Sequence, residues 1–138
     1  MEIIGDNSKL EIKVVGKSNV SSMNEWDKKW IQVQIYVQLI GFKANFRTEL
    51  IEDDFKQFYF SLKEVLDKKT DTFELKTLEE SIYLIGNVTY LGKIEWEDFV
   101  QFPIGNGNTL SFKFESDFFQ IEKICSSLEQ ELTILKEK

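Results

Sequence analysis

The chain reads as an α+β protein, with an antiparallel sheet of about six strands and two amphipathic helices packed on one face. Three observations predict this. Apolar and polar residues alternate in several short runs, as strands with one buried face require. Two other stretches carry apolar residues at helical spacing, and the order runs strands, helix, strands, helix.

The first strand is Leu10-Glu11-Ile12-Lys13-Val14, where alternate residues are apolar and Gly16 closes the run. Lys17 to Asp27 is polar and rich in Ser and Asn, and reads as a mobile connection. Trp30 to Leu50 then folds back at Ile40-Gly41 into a hairpin. Counting from that turn pairs Leu39 with Phe42, Val37 with Ala44, Ile35 with Phe46, Val33 with Thr48 and Ile31 with Leu50 on one face. The other face pairs Gln38 with Lys43, Tyr36 with Asn45, Gln34 with Arg47 and Gln32 with Glu49. Such a sheet must cover the first face and can show the second to a partner.

Glu52-Asp53-Asp54 sets acid at the start of a helix carrying Phe55, Phe58, Tyr59, Leu62, Val65 and Leu66, which suits the N-terminal dipole. The helix should end near Lys68-Lys69, where positive charge is favourable for the same reason. A short strand follows with Phe73, Leu75 and Thr77 on one side, then a turn at Leu78-Glu79-Glu80. Ile82, Leu84, Gly86 and Val88 can face Val100, Asp98, Trp96 and Ile94 across a loop centred on Leu91. In that register the Trp96 indole could cover Gly86, while Asp98 opposite Leu84 fits worst. Pro103 and Gly105-Asn106-Gly107-Asn108 mark a loop before a strand at Leu110-Ser111-Phe112-Lys113-Phe114-Glu115. Asp117, with Gln120 three residues on, is an N-cap for a last helix whose stripe is Ile121, Ile124, Cys125, Leu128, Leu132 and Leu135. With no repeat and no boundary signal, residues 1–138 are expected to form one domain.

Composition narrows function chiefly by exclusion. The 138 residues hold 17 Lys and Arg against 24 Asp and Glu, a formal charge of -7, which disfavours nucleic acid and anionic membrane as partners and favours either plain solubility, the reading charge alone supports best, or a basic partner. No apolar run reaches the ~20 residues of a membrane span and no leader pattern opens the chain, so a cytoplasmic protein is expected. The lone cysteine fits a reducing compartment. The chain has no histidine, which removes the commonest general base and metal ligand and the Ser/His and Cys/His nucleophile arrangements. Cys125 lies on an apolar helix stripe and reads as a buried small hydrophobe; the glycine loop at Gly105 lacks the Lys-Ser/Thr pair and following helix of a phosphate loop. Glu95 and Glu97 point the same way with Cβ atoms roughly 6.5 to 7 Å apart. On a solvated face they suit contact with a basic partner better than acid/base chemistry, which needs a cleft and one raised pKa. No catalytic residue, metal ligand or cofactor is therefore expected.

The expected outward face carries Gln32, Gln34, Tyr36, Gln38, Asn45, Arg47 and Glu49 from the hairpin, extended by Glu95, Glu97 and Phe99. Mixed polar and aromatic composition suits a non-obligate protein interface, and equally an ordinary solvated sheet face. Gln34, Tyr36, Arg47, Glu95, Glu97 and Phe99 are the candidate partner-binding residues.

Ile3-Ile4-Gly5-Asp6-Asn7-Ser8-Lys9-Leu10-Glu11-Ile12, Trp30 opening its strand, Gly41-Phe42-Lys43-Ala44-Asn45-Phe46, Asp54 to Leu62, Leu91-Gly92-Lys93-Ile94-Glu95 and Leu110 to Asp117 together resemble the WapI-type immunity family. The resemblance runs in order over nearly the whole chain. It implies a small cytoplasmic bacterial protein that neutralises the C-terminal toxin domain of a large cell-wall-associated contact-dependent toxin. In the founding case that domain is a nuclease acting on transfer RNA, so a basic nuclease is the expected partner. Phe118-Phe119 after Asp117 depart from the polar residues usual in the family, and no family binding residue is carried across. The alternative is a stand-alone interaction or structural module without a toxin partner, a homodimer or other homo-oligomer being open in either case.

Overall fold

The computed structural model describes residues 1–18 and 24–137. In chain order they form β1 (Glu2–Gly5), β2 (Ser8–Lys17), a 3-10 turn (Asp27–Lys29), β3 (Trp30–Leu39), β4 (Phe42–Ile51), α1 (Glu52–Leu66), β5 (Thr72–Lys76), β6 (Ile82–Val88), β7 (Lys93–Phe102), β8 (Asn108–Asp117) and α2 (Gln120–Glu137). The β3–β4 hairpin has the register that alternation and the two-residue turn dictate, from Leu39 opposite Phe42 to Ile31 opposite Leu50. Gly41 takes φ +80 in that turn, a conformation that costs glycine little.

The fold is α+β with two helices, but the expected single sheet of about six strands is corrected to two antiparallel sheets of four, ordered β1-β2-β3-β4 and β5-β6-β7-β8. The physical reason is that alternation reports which residues share a face and nothing about which strands pair across a helix. Here α1 separates β4 from β5 and packs against β5, so those two strands end as edges of different sheets. The extra strand β1, only four residues long, pairs with β2 through a tight turn in which Asn7 takes φ 54. Gly16 does not close β2; the register shifts between Val14 and Gly16, and the strand runs on to Lys17. Of the connection expected from Lys17 to Asp27, residues 19–23 lie outside the described residues.

Two contacts between the sheets fix how they sit. At the turn after β1, a Cβ on Gly5 would lie 2.3 Å from the Phe114 ring of β8, so only glycine allows this approach. At the opposite edge of the first sheet, Phe46 of β4 stacks on Phe102 of β7 with centroids 4.9 Å apart. Phe102 pairs with Asn108, at the far end of β8 from Phe114. The β7–β8 ribbon therefore reaches both edge strands of the first sheet, β1 through Phe114 and β4 through Phe102. One apolar core fills the space between, drawing Ile3, Leu10 and Ile35 from the first sheet, Leu84, Ile94 and Trp96 from the second, Phe55 and Phe58 from α1, and Ile121, Ile124 and Leu128 from α2.

In the second sheet the β6–β7 register is as expected, with Gly86 opposite Trp96 and Leu84 opposite Asp98. The cover on Gly86 is different, however: it comes from Phe73 on β5, whose ring lies 2.2 Å from where a Cβ would stand. Phe73 is itself wedged edge-on against Trp96 at 5.1 Å. A central strand has two neighbours, and the glycine gap was filled from the other side.

Helix α1 ends at Leu66, close to the lysines expected to terminate it. Lys68 adopts φ 60 just past the end, its amide donates to Val65 O at 3.0 Å and the Lys69 amide donates to Glu64 O at 2.9 Å. That is a Schellman closure built on lysine where glycine is usual. The expected N-cap at Asp117 is also revised, because Asp117 closes β8 and its carboxylate is engaged by Lys93, leaving α2 to begin at Gln120.

Candidate functional site

The candidate residues fall on the outward faces of two different sheets. On the first, Gln34 stands opposite Arg47 and Tyr36 opposite Asn45. Arg47 Nε donates to Gln34 Oε1 at 3.0 Å, the Gln34 amide donates to Asn45, and the Tyr36 hydroxyl donates to Gln38 Oε1 at 3.1 Å. This face is a network of side chains holding one another, with Arg47 exposed to solvent.

On the second sheet, Glu95, Glu97 and Phe99 alternate outward from β7. Phe99 stands opposite Tyr83 of β6, and their rings stack with centroids 5.3 Å apart at 17°. The Tyr83 hydroxyl donates to Glu74 Oε2 at 3.3 Å. Desolvation and the neighbouring Glu74 charge push that hydroxyl above its ordinary pKa. Glu97 stands opposite Lys113 of β8 with 3.8 Å between charges, the two side chains 72% and 77% exposed. Glu95 stands opposite Glu115, a like-charge pair directly across neighbouring strands that costs stability.

The turn after β1 completes this region. Asp6 donates its amide to Glu115 O at 2.9 Å and accepts the Glu115 amide on Oδ1 at 2.8 Å. Asp6, Glu95, Glu97 and Glu115 thus line one open recess of about 540 Å³ in which Lys113 is the only cation. Beside it lies a groove of about 420 Å³ walled by Tyr83, Phe99, Ile85 and Glu97. Among the described residues no hydrogen bond, ion pair or ring contact joins Gln34, Tyr36 and Arg47 to Glu95, Glu97 and Phe99. The single continuous face expected from one sheet is therefore divided between two.

Tyr83, Lys113, Asp6 and Glu115 were not among the residues singled out from the sequence. Tyr83 was within reach, since the β6–β7 register already set it opposite Phe99. Glu115 and Asp6 needed the β7–β8 register and a contact between residues 109 apart in the chain, for which no local signal exists. Among the described residues no group of three His, Cys, Asp or Glu side chains is placed to hold a metal ion. Cys125 is buried in α2, and burial pushes its thiol above the ordinary pKa, as a packed small hydrophobe should behave.

A family model described as the immunity protein WapI-like family matches residues 2–136. The chain belongs to that family. The resemblance read from Ile3 to Ile12, the β3–β4 turn and the β7 and β8 segments is thereby borne out over nearly the whole chain. Membership of the WapI-like immunity family carries a toxin-immunity role and implies a toxin partner. A search of curated proteins returns no match. Among solved structures, a chain described as "Crystal structures of trypanosoma bruciei MRP1/MRP2" is similar with a TM-score of 0.48 and 9% identity, over 91% of this chain and 73% of that one. No helix among the described residues is long and apolar enough to cross a membrane.

Proposed function

We propose that the chain is a non-enzymatic immunity protein of the cytoplasm that binds a toxin domain, a basic nuclease, and neutralises it by blocking its active site. The observation that carries this reading is the family match over residues 2–136. Residues 1–138 act as one immunity domain, a reading supported by the single core shared by both sheets and both helices. Of the two outward faces, the second sheet suits a basic active site better. Its recess sets the carboxylates of Asp6, Glu95, Glu97 and Glu115 against one lysine, an arrangement that mimics substrate phosphates and steers a cationic partner. Gln34, Tyr36 and Arg47 are assigned a secondary contact, Tyr36 and Arg47 being of the residue types that anchor interfaces.

The test is calorimetric titration of the chain into the toxin domain encoded immediately upstream, at two salt concentrations. Tight binding that weakens with salt is expected, and no detectable heat or complex would remove the proposal. A stand-alone homodimer is the second reading, favoured by one observation: Ile40 and Phe42, beside the open edge of β4, are 76% and 62% exposed. Sedimentation of the free chain separates the two. A stable dimer that does not dissociate when toxin is added favours the second reading.

A further inference from the structure

The groove across β6, β7 and β8 has a shape and chemistry that immunity binding leaves unspecified. Its wall is the Tyr83–Phe99 pair, two flat rings stacked on each other with planes within 17°. Ile85, two residues along β6 from Tyr83 and opposite Glu97, gives an apolar contact beside that wall. Glu97 supplies a carboxylate on the same groove, and Glu74 accepts a hydrogen bond from the Tyr83 hydroxyl, which makes that ring more electron-rich.

We propose that this groove seats an arginine side chain of the toxin domain, an inference that rests on the immunity reading above. A guanidinium is flat and always charged, so it stacks on an aromatic face while its fork of N–H donors meets a carboxylate in two parallel hydrogen bonds. Its methylene stem suits the apolar contact of Ile85. An ammonium would satisfy Glu97 but not the flat wall, which selects arginine over lysine. The sign of the charge follows from the surroundings: Glu97 and Glu74 flank the rings, Asp6, Glu95 and Glu115 lie in the adjoining recess, and the chain as a whole carries -7. Lys76 stands opposite Tyr83 on β5 without lining the groove, and Lys113, which does line it, holds Glu97 only at 3.8 Å in a pair open to water, so it is a weak competitor that an incoming guanidinium displaces.

The experiment measures the affinity of the upstream-encoded toxin domain for the native chain and for Glu97→Gln, Phe99→Ala and Lys113→Gln at one fixed ionic strength. Glu97→Gln and Phe99→Ala should each weaken binding by about tenfold or more, as loss of a central anchor does. Lys113→Gln should tighten it by about threefold or more, because the competitor for Glu97 is gone. If Phe99→Ala loses its fold by circular dichroism, the opposite signs expected of the two surface variants decide the matter. Native binding with less than a twofold change in both Glu97→Gln and Lys113→Gln overturns the proposal. So does the reverse pattern, tighter for Glu97→Gln and weaker for Lys113→Gln, which would mark an anionic occupant. Failure of the native chain to bind at all falls on the immunity reading itself.

Discussion

Replacing Asp98 with asparagine should abolish most of the pH dependence of stability between pH 5 and pH 8. Asp98 is only 4% exposed, lies between Leu84 and Phe112 in the sheet register, and neither of its carboxyl oxygens makes a hydrogen bond of normal geometry, the Ile85 backbone amide giving only a weak polar contact. Burial drives its pKa from 3.8 up to about 8, opposed in part by the Ile85 backbone and helped by the charge of Glu97. Because the folded pKa lies above the unfolded one, the folded state holds the proton more tightly. Stability from this group is therefore fully present below about pH 4 and is lost as pH rises through about 8. At about 1.4 kcal/mol per pH unit over that interval the loss is roughly 6 kcal/mol, comparable to the whole stability of a marginal domain. Urea unfolding at pH 5, 6, 7, 8 and 9 measures it. The native chain should lose several kcal/mol between pH 5 and 8 and then level off, and Asp98→Asn should lose far less. Its stability should match the native chain near pH 5 and exceed it at pH 8. A smaller residual slope of the same sign is expected from Asp54, whose pKa burial also raises. Parallel profiles for the two proteins would refute the assignment.

Three further substitutions probe packing, helix closure and association. Gly86→Ala would place a Cβ 2.2 Å from a Phe73 ring that is itself locked against Trp96, and should cost about 1–3 kcal/mol in chemical denaturation; an unchanged midpoint would mean that Phe73 is free to move. Lys68→Gly should stabilise by up to about 1 kcal/mol in thermal unfolding, because the residue sits at φ 60 in the closure of α1, where glycine has no Cβ penalty. Glu95→Lys with Glu97→Lys should slow association with the toxin domain by about tenfold at low salt while leaving fold intact, read by stopped flow. An unchanged on-rate would place the contact on the other sheet.

Local patterning carried most of the fold and stopped where the chain makes long-range choices. The β3–β4 hairpin was fully legible, since a two-residue turn and strict alternation leave one register. The Leu84–Asp98 pair was legible too, even though burying a carboxylate opposes it, because six apolar partners in the same ladder outweigh one misfit. What the pattern could not hold was the division into two sheets, since α1 interrupts the strand order without leaving a mark on the periodicity of β4 or β5. The same limit applies to the candidate surface. Gln34 beside Arg47 and Glu95 beside Glu97 follow from strand geometry. The approach of Asp6 to Glu115 follows from Gly5 seating against Phe114, a contact between opposite ends of the chain.

Growth of cells that make the upstream-encoded toxin domain, with and without this chain, is the most direct test of the immunity role. Restored growth with the chain present, lost when Glu97→Gln and Phe99→Ala are combined, is the expected result. Equal arrest of growth with and without the chain would contradict it.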